Sequence, residues 1–219
     1  MTRTFISKAA GVATVAFAAA VATPVVASAQ ATELNVSGQL QLAGTGPGSF
    51  EVDFAPIGGT TGTAIAFLND FGIALGTTGP ISDLTGSNAG FAPQAVPFLS
   101  LGGYTFTYGG TTTGGTFGPI FLTQQGPNVT AGFNVFGTVT GPGIVGARSF
   151  NASFTAQFNN TTSGAVSSLV TSGGTTDIVS FSGLITTNVV PEPSTYALMG
   201  AGVAMLGAFA RRRKLQQQA

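Results

Sequence analysis

The strongest constraint on the fold is an alternation of apolar and polar residues, with a period of two, between Glu33 and Thr187. In residues 150–158, for example, Phe and Ala alternate with Asn, Ser, Thr and Gln. This pattern is typical of strands that bury one face and expose the other to water, as in antiparallel sheets. Comparable runs occupy residues 34–42, 50–54, 104–108, 133–140 and 179–185. No segment between Glu33 and Pro191 has clear helical periodicity, so we predict an all-β body.

The connections between these runs are rich in Gly, Pro and Asn, which are turn-forming residues. Many short strands joined by such turns predict an antiparallel β-sandwich, of which a jelly roll is one form. Phenylalanine side chains from two facing sheets would form its core, since most of the 18 phenylalanines lie in this region. Residues Thr77–Pro97 are interrupted by prolines and glycines, and we expect them to form a long loop or lid.

Charge and composition exclude several classes of function. From Gln30 to Val190 the chain has one basic residue, Arg148, and six acidic residues, which gives a net charge of −5. Nucleic acid is therefore excluded as a partner, because phosphate binding needs clustered Lys and Arg. The chain has no cysteine and no histidine, which removes disulfides, the usual ligands of zinc, haem and copper, and His- or Cys-based catalysis. We predict no catalytic, cofactor-binding or metal-binding residues and no enzymatic activity.

Four acidic residues of the body have both a functional and a structural interpretation. Glu51 and Asp53 are two residues apart, so on a strand their carboxylates point to one face. Such a pair can bind calcium or act in glycoside hydrolysis, and the alternative is a solvated strand face. Asp70 and Asp83 flank a loop-rich stretch, where they either join a calcium site or form turns and caps.

Three further side chains also have two interpretations. Arg148 either clamps an acidic sugar or pairs with a nearby acid at the start of a strand. Tyr104 and Tyr108 either form a platform for a sugar ring or belong to the core, where aromatic residues at alternate positions more often lie.

The first 29 residues have the organisation of a secretory signal peptide. A short basic start, which includes Arg3 and Lys8, precedes an apolar run over Ala9–Ala22 and a small-residue site that ends at Ala29. We predict cleavage between Ala29 and Gln30, with a frame two residues later as the alternative. The secretion translocon and a signal peptidase are the partners that this segment implies.

The C-terminal end has the pattern of a membrane anchor. Residues 194–210 carry no charge and are apolar all round, and 17 residues is close to the lower limit for a helical span. A basic cluster follows, consisting of Arg211, Arg212, Arg213 and Lys214. Such a cluster stops transfer and stays in the cytoplasm. We therefore predict a transmembrane helix over residues 194–210, with the body on the far side of the membrane.

Pro191, Glu192 and Pro193 stand immediately before this apolar segment. Two prolines around a glutamate cannot be helical or pair in a central strand, so they hold an extended segment beside the membrane. Pro-Glu-Pro-Ser-Thr-Tyr-Ala-Leu, an apolar segment and an arginine cluster, in this order, resemble the PEP-CTERM sorting signal over residues 190–217. The resemblance implies a Gram-negative bacterium with an exosortase, a membrane enzyme that processes such tails, and an association with exopolysaccharide and biofilm.

These segments predict three regions: a signal peptide at residues 1–29, a β-rich extracytoplasmic domain at 30–189 and a sorting signal at 190–219. We expect the protein to be anchored in the inner membrane in transit and then to reach the cell surface or extracellular matrix. There it would have a structural or adhesive role in exopolysaccharide.

Two alternatives remain open on the sequence alone. The first is a secreted polysaccharide-binding or polysaccharide-active jelly roll built on Glu51, Asp53, Tyr104 and Arg148, which requires these residues to meet in one pocket. The second is an outer-membrane β-barrel, since about 160 residues suffice for eight strands. Uneven strand lengths and the lack of evident aromatic girdles disfavour the second alternative.

Overall fold

The structure is a computed structural model and describes residues 32–56, 58–93, 97–187 and 199–206. Twelve strands and one named helix follow one another along the chain. They are β1 (Glu33–Gly46), β2 (Ser49–Asp53), β3 (Thr61–Asn69), β4 (Thr78–Ser82), β5 (Leu84–Ser87), β6 (Gly90–Phe91), β7 (Leu99–Leu101), β8 (Tyr104–Thr111), β9 (Phe121–Gln125), β10 (Asn128–Thr140), β11 (Arg148–Phe158), α1 (Ser163–Thr171) and β12 (Val179–Thr187).

Eight of these strands form a closed antiparallel barrel in the order β1, β3, β4, β7, β8, β10, β11, β12 and back to β1. The closing contact is the pairing of β1 with β12, from Glu33 opposite Thr186 to Leu40 opposite Val179. The all-β class is therefore confirmed, but the predicted β-sandwich, including its jelly-roll form, is wrong. Alternation shows which face of a strand is buried, and both a sandwich and a barrel bury one face of each strand. The pattern therefore does not distinguish two packed sheets from one closed sheet.

β1 is long enough to belong to two sheets. Its first half closes the barrel, while residues 41–46 pair with β2, which pairs with β5 and then with β6. The prediction of a long loop or lid over Thr77–Pro97 is wrong, because β4, β5 and β6 lie within that segment. Pro80 is tolerated within β4, whose register with β7 consists of the single pair Ile81 and Leu99.

Phenylalanine side chains fill the interior of the barrel. Phe154 on β11 is fully buried and stacks on Phe133 of β10, with the ring centroids 5.1 Å apart. Phe54, which follows β2, packs edge-on against Phe181 of β12 at 5.2 Å. Gly183 lets Phe154 approach β12, since a Cβ at that position would lie 2.6 Å from the Phe154 ring. This cluster joins the small sheet to the barrel wall.

The outer surface of the wall is mostly polar. Along β11 the outward residues are Asn151, Ser153, Thr155 and Gln157, and the residues between them are buried. An outer-membrane barrel carries an apolar band on this surface and a polar interior. The polarity of this wall is the reverse, which argues against the outer-membrane alternative.

The alternation does not predict α1, a helix of nine residues between β11 and β12. Thr162 caps its N-terminus, and the Thr162 Oγ1 accepts a hydrogen bond from the Ala165 N–H at 3.1 Å. Val166 and Val170, four residues apart, are its buried positions. A helix of nine residues spans only about two and a half turns, which is too short for the helical period to be detected in the sequence.

Residues 199–206 form a second short helical segment, in which Met199, Val203, Met205 and Leu206 are exposed. None of the helices in the described part of the chain combines the length and the apolarity that crossing a bilayer requires. The expected transmembrane helix over residues 194–210 is therefore not confirmed. The rest of that range, and the signal segment at residues 1–29, lie outside the described residues.

Replacing Phe154 by Ala should lower the free energy of unfolding by about 3–5 kcal/mol, because the substitution leaves a cavity in the centre of the core. Phe121→Ala is the matched control, since Phe121 on β9 is an exposed phenylalanine, and it should cost about 1 kcal/mol or less. Urea unfolding followed by circular dichroism measures both values. Equal losses in the two variants would contradict a core centred on Phe154.

Candidate functional site

The two terminal signals are the first candidate sites, and their predicted residues lie outside the described part of the chain. These residues are Ala29, Gln30, Pro191, Glu192, Pro193, Arg211, Arg212, Arg213 and Lys214. The structure does describe the place where the sorting segment leaves the barrel. The N–H of Thr187, the last residue of β12, donates to the Thr32 carbonyl oxygen at 3.0 Å, and the two threonine hydroxyls are hydrogen-bonded to each other. Thr32 and Thr187 thus lie side by side at one end of the barrel.

Three carboxylates lie near one another beside the small sheet. Asp83, between β4 and β5, is buried, and its Oδ1 accepts the Phe54 N–H at 2.7 Å. The Asp53 carboxylate accepts a hydrogen bond from Gln41 Nε2 at 2.8 Å and another from a backbone N–H two residues ahead. Glu51 lines an open cleft of about 410 Å³ together with Asp83 and several Ser and Thr residues. Asp53 and Asp83 therefore hold the backbone where it leaves β2.

The surroundings of Glu51 and Asp83 favour the protonated forms of these two carboxyl groups. Burial raises the pKa of Glu51, and the negative charges of Asp83 and Asp53 raise it further. Burial also raises the pKa of Asp83, although the hydrogen bond from the Phe54 N–H acts in the opposite direction. Within the described ranges, no three His, Cys, Asp or Glu side chains are grouped so as to hold a metal ion.

Asp70 does not join this cluster. Its neighbour Asn69 pairs with Leu34 near the start of β1, whereas Glu51 pairs with Ala43 near the other end. Nine residues of strand separate these two positions, a distance of about 30 Å. A calcium site shared by Asp70 and Asp83 is therefore ruled out by the strand register.

The other candidate side chains are used structurally or lie elsewhere. The Tyr104 hydroxyl is within hydrogen-bond distance of two carbonyl oxygens, those of Phe71 at 2.9 Å and Pro142 at 3.0 Å. The Tyr108 hydroxyl donates to the Phe91 carbonyl at 3.3 Å, and burial raises the pKa of Tyr108.

Arg148 begins β11 opposite Val139, at the end of the barrel where Thr187 lies. No ion pair is found among the described side chains that would engage Arg148. Glu51 and Asp53 on β2 therefore lie beside the last part of β1, whereas Tyr104 and Arg148 lie at the end of the barrel where β1 begins. These four residues do not form one pocket.

The structure brings together one group of outward side chains that the sequence analysis did not single out, which we call the Phe136 patch. It spans β10, β11 and β12 and consists of Asn134, Phe136, Asn151, Ser153, Leu184 and Thr186. Phe136 is 43% exposed, and its ring lies over Gly110 of β8, where a Cβ would collide with it. The patch borders a shallow cavity of about 280 Å³.

The register explains why the patch is not visible in the sequence. Phe136 faces Asn151, which faces Thr186, while Asn134 faces Ser153, which faces Leu184. These residues come from three successive strands, and only the register between the strands brings them side by side. The only local signal is Phe136 itself, which follows the buried Val135 and is therefore an aromatic residue on the polar face of β10.

Comparison with known proteins identifies the C-terminal segment. Residues 189–214 match the PEP-CTERM protein-sorting motif. The chain carries a PEP-CTERM sorting signal. The match confirms the resemblance noted at Pro191, Glu192 and Pro193. No curated protein and no solved structure matches the chain.

The PEP-CTERM signal defines the route that this protein follows. It is an exported substrate of exosortase, which is the processing partner that the signal implies. Its C-terminal region anchors it in the membrane in transit. The match begins two residues after Thr187, the last residue of β12, and the Pro-Glu-Pro sequence lies within it.

The raised pKa of Glu51 gives a prediction for stability against pH. A carboxyl group whose pKa is higher in the folded than in the unfolded state stabilises the fold when it is protonated. The free energy of unfolding therefore falls as the pH rises from 4.5, the ordinary pKa of a glutamate, through the raised pKa of Glu51. Glu51→Gln should therefore flatten the decline in melting temperature as the pH rises above 4.5. Differential scanning calorimetry measures the slope.

Glu33→Gln serves as the control for this measurement, because it removes the same charge from an exposed position on β1. Equal flattening in both variants would show that net charge, and not the setting of Glu51 beside Asp83 and Asp53, determines the slope.

Proposed function

We propose that this protein is a non-enzymatic component of the cell surface or extracellular matrix of a Gram-negative bacterium, with a barrel that contacts exopolysaccharide. The observation that carries the proposal is the pairing of a PEP-CTERM signal with a barrel whose outer wall is polar but nearly uncharged. Hydroxyl and amide groups form hydrogen bonds with sugar hydroxyls without any requirement for charge on the polymer.

The separation of the candidate residues supports a non-enzymatic role. Glycoside hydrolysis by the usual mechanism needs two carboxylates placed on either side of the scissile bond. In the pair suggested by the sequence, the Asp53 carboxylate is engaged by Gln41 and by the backbone, and Glu51 lines a cleft without it. Tyr104 on β8 and Arg148 on β11 lie towards the opposite end of the barrel, too far from Glu51 to complete an active site there.

The Phe136 patch supports contact with a saccharide. An exposed aromatic ring offers an apolar face on which the C–H groups of a sugar can pack. Asn134 and Asn151 flank the ring, and neither side-chain amide is hydrogen-bonded to another group of the described chain. Each amide therefore has both donors and an acceptor available for sugar hydroxyls.

The terminal signals support a route with two processing steps. The translocon and a signal peptidase would act at Ala29 and Gln30, and exosortase would act near Pro191, Glu192 and Pro193. Release from the tail would free the barrel to reach the cell surface or matrix, where it would be structural or adhesive.

Substituting Ala for Pro191, Glu192 and Pro193 together should keep the full-length protein in the inner-membrane fraction, because the motif that precedes processing is lost. The unaltered protein should appear in the extracellular polymer with Gln30 at its N-terminus and without its basic tail. Mass spectrometry of both termini after fractionation measures this difference.

The control for this experiment replaces three glutamines by Ala: Gln216, Gln217 and Gln218. These residues lie beyond the segment that matches the sorting motif. It should be processed like the unaltered protein. Recovery of the unaltered protein only in the inner membrane, with its tail intact, would contradict the proposed route.

Replacing both Phe136 and Asn151 by Ala should weaken binding to the isolated exopolysaccharide roughly tenfold, which corresponds to about 1.4 kcal/mol from the lost packing and hydrogen bonds. Co-sedimentation of the protein with the polymer measures the affinity. Phe121→Ala, an exposed phenylalanine outside the patch, is the control. Equal affinity of all three proteins would show that the patch does not contact the polymer.

A further inference from the structure

One end of the barrel, which we call the exit rim, gathers the places where the chain begins and ends its β structure. Glu33 at the start of β1 faces Thr186 near the end of β12, and Phe150 near the start of β11 faces Thr187. The connection between β3 and β4, residues 70–77, belongs to the same end, because Asn69 pairs with Leu34. The connection between β10 and β11, residues 141–147, belongs to this end as well. Val139 near the end of β10 pairs with Arg148, which begins β11 two residues before Phe150.

Hydrogen bonds hold the two connections of the exit rim in place. The Tyr104 hydroxyl lies between the Phe71 carbonyl of one connection and the Pro142 carbonyl of the other, at 2.9 Å and 3.0 Å. The Asn69 side chain accepts from the Ile73 N–H and donates to the Ile73 carbonyl, both at 2.9 Å. The backbone of both connections is therefore attached to the barrel at the end where Thr187 lies.

Three aliphatic side chains project from the exit rim into solvent. Val145 is 94% exposed, and Leu68 and Leu75 are each 72% exposed. No other large apolar side chain in the described part of the barrel domain is exposed to this extent. Leu68 faces outward because the register between β1 and β3 shifts here, so that both Phe67 and Leu68 lie on the exposed side.

The position of the rim limits how far it lies from the membrane. Twelve residue steps separate Thr187 from Met199, which begins the described apolar helical segment, so the two points are at most roughly 40 Å apart even with a fully extended chain. While the C-terminal region anchors the protein in transit, the exit rim is the end of the barrel from which the anchor departs. The most exposed apolar residues of the barrel domain therefore lie at the end nearest to lipid.

We propose that the exit rim is a membrane-docking face, and that Leu68, Leu75 and Val145 enter the lipid interface while the protein is anchored. This inference rests on the sorting route but not on polysaccharide binding. The charged side chains at this rim are Glu33, Asp70 and Arg148, which are of mixed sign. The contact is therefore apolar and depends little on salt or on anionic lipid, unlike binding by a basic patch.

Docking fixes the orientation of the barrel during transit. Aliphatic side chains at the tips of rigid loops lose contact with water when they enter the interface, and this favours the orientation in which the exit rim faces the membrane. Thr187, from which the chain continues into the sorting signal, is then held on the side of the barrel that faces the bilayer, where a membrane enzyme such as exosortase acts.

The absence of cysteine from the chain allows a direct test with single labels. Leu75→Cys, Val145→Cys and Leu169→Cys are each made in the protein with its C-terminal tail and labelled with the fluorophore NBD. The proteins are reconstituted with vesicles of phosphatidylethanolamine and phosphatidylglycerol, and only vesicle-bound protein recovered by flotation is measured. Leu169 on α1 is the matched control, since it is an exposed leucine and α1 packs beside β9 and the far half of β1.

Quenching by nitroxide-labelled lipid and by aqueous iodide reports what surrounds each label. Labels at positions 75 and 145 should be blue-shifted, quenched by the lipid nitroxide and protected from iodide, whereas the label at 169 should be quenched by iodide alone. The pattern should persist at high salt and in vesicles of phosphatidylcholine. Adding Leu68→Ser and Leu75→Ser should reduce the lipid quenching of the label at 145.

Two other results would overturn the proposal. Iodide quenching at 75 and 145 equal to that at 169 would show that the rim stays in water. Protection from iodide without lipid quenching would show that a second copy or the tail of the same chain covers the rim. A Val203→Cys label that contacts lipid in the same preparation would show that the anchor is intact, so that the sorting route stands while the docking face fails.

Discussion

The packing of phenylalanine rings inside the barrel is the interaction on which the rest of the structure depends. Phe54, Phe98 and Phe181 surround Phe154, with ring centroids 5.5 to 6.2 Å from its own, and Phe133 stacks on it at 5.1 Å. These rings come from β10, β11, β12 and the segments beside β2 and β7. Their burial therefore holds the closed wall and the small sheet together, in a chain that has no cysteine for disulfides and no group of metal ligands among its described residues.

Closure of the wall also fixes the point at which the chain leaves the barrel before the sorting signal. Because β1 pairs with β12 along eight residues, the two ends of the domain lie side by side, and Thr187 is held by Thr32. The tail therefore leaves from a fixed point on a rigid rim. A sandwich whose first and last strands lay in different sheets would not impose this arrangement.

Much of the fold was predictable from the sequence, because the period of a strand is a local property. The alternation along residues 150–158 and 179–185 indicates β11 and β12 and the faces that they bury. The pairing of β1 with β12 joins residues about 150 positions apart, and nothing in either segment specifies the partner. Thr77–Pro97 was misleading because its prolines and glycines are compatible with short strands at positions where few pairing hydrogen bonds are lost.

The candidate sites also differ in how far they can be recognised from the sequence alone. The sorting motif is contiguous, so Pro191, Glu192 and Pro193 identify it without a structure. The two carboxylates on β2 form a conspicuous pair in the sequence, but the fold uses Asp53 to bind the backbone and Gln41. The Phe136 patch combines residues from three strands and becomes visible only when the register is known.

The pairing of the first strand with the last also links folding to secretion. A chain that crosses the membrane from its N-terminus delivers β1 first and β12 last, and the sorting segment follows directly. The barrel therefore cannot close before nearly all of the domain has been exported, and contacts between such distant segments form slowly. Completion of the fold therefore cannot precede export of the last strand, and a processing enzyme that meets the Pro-Glu-Pro segment meets a domain whose translocation is finished.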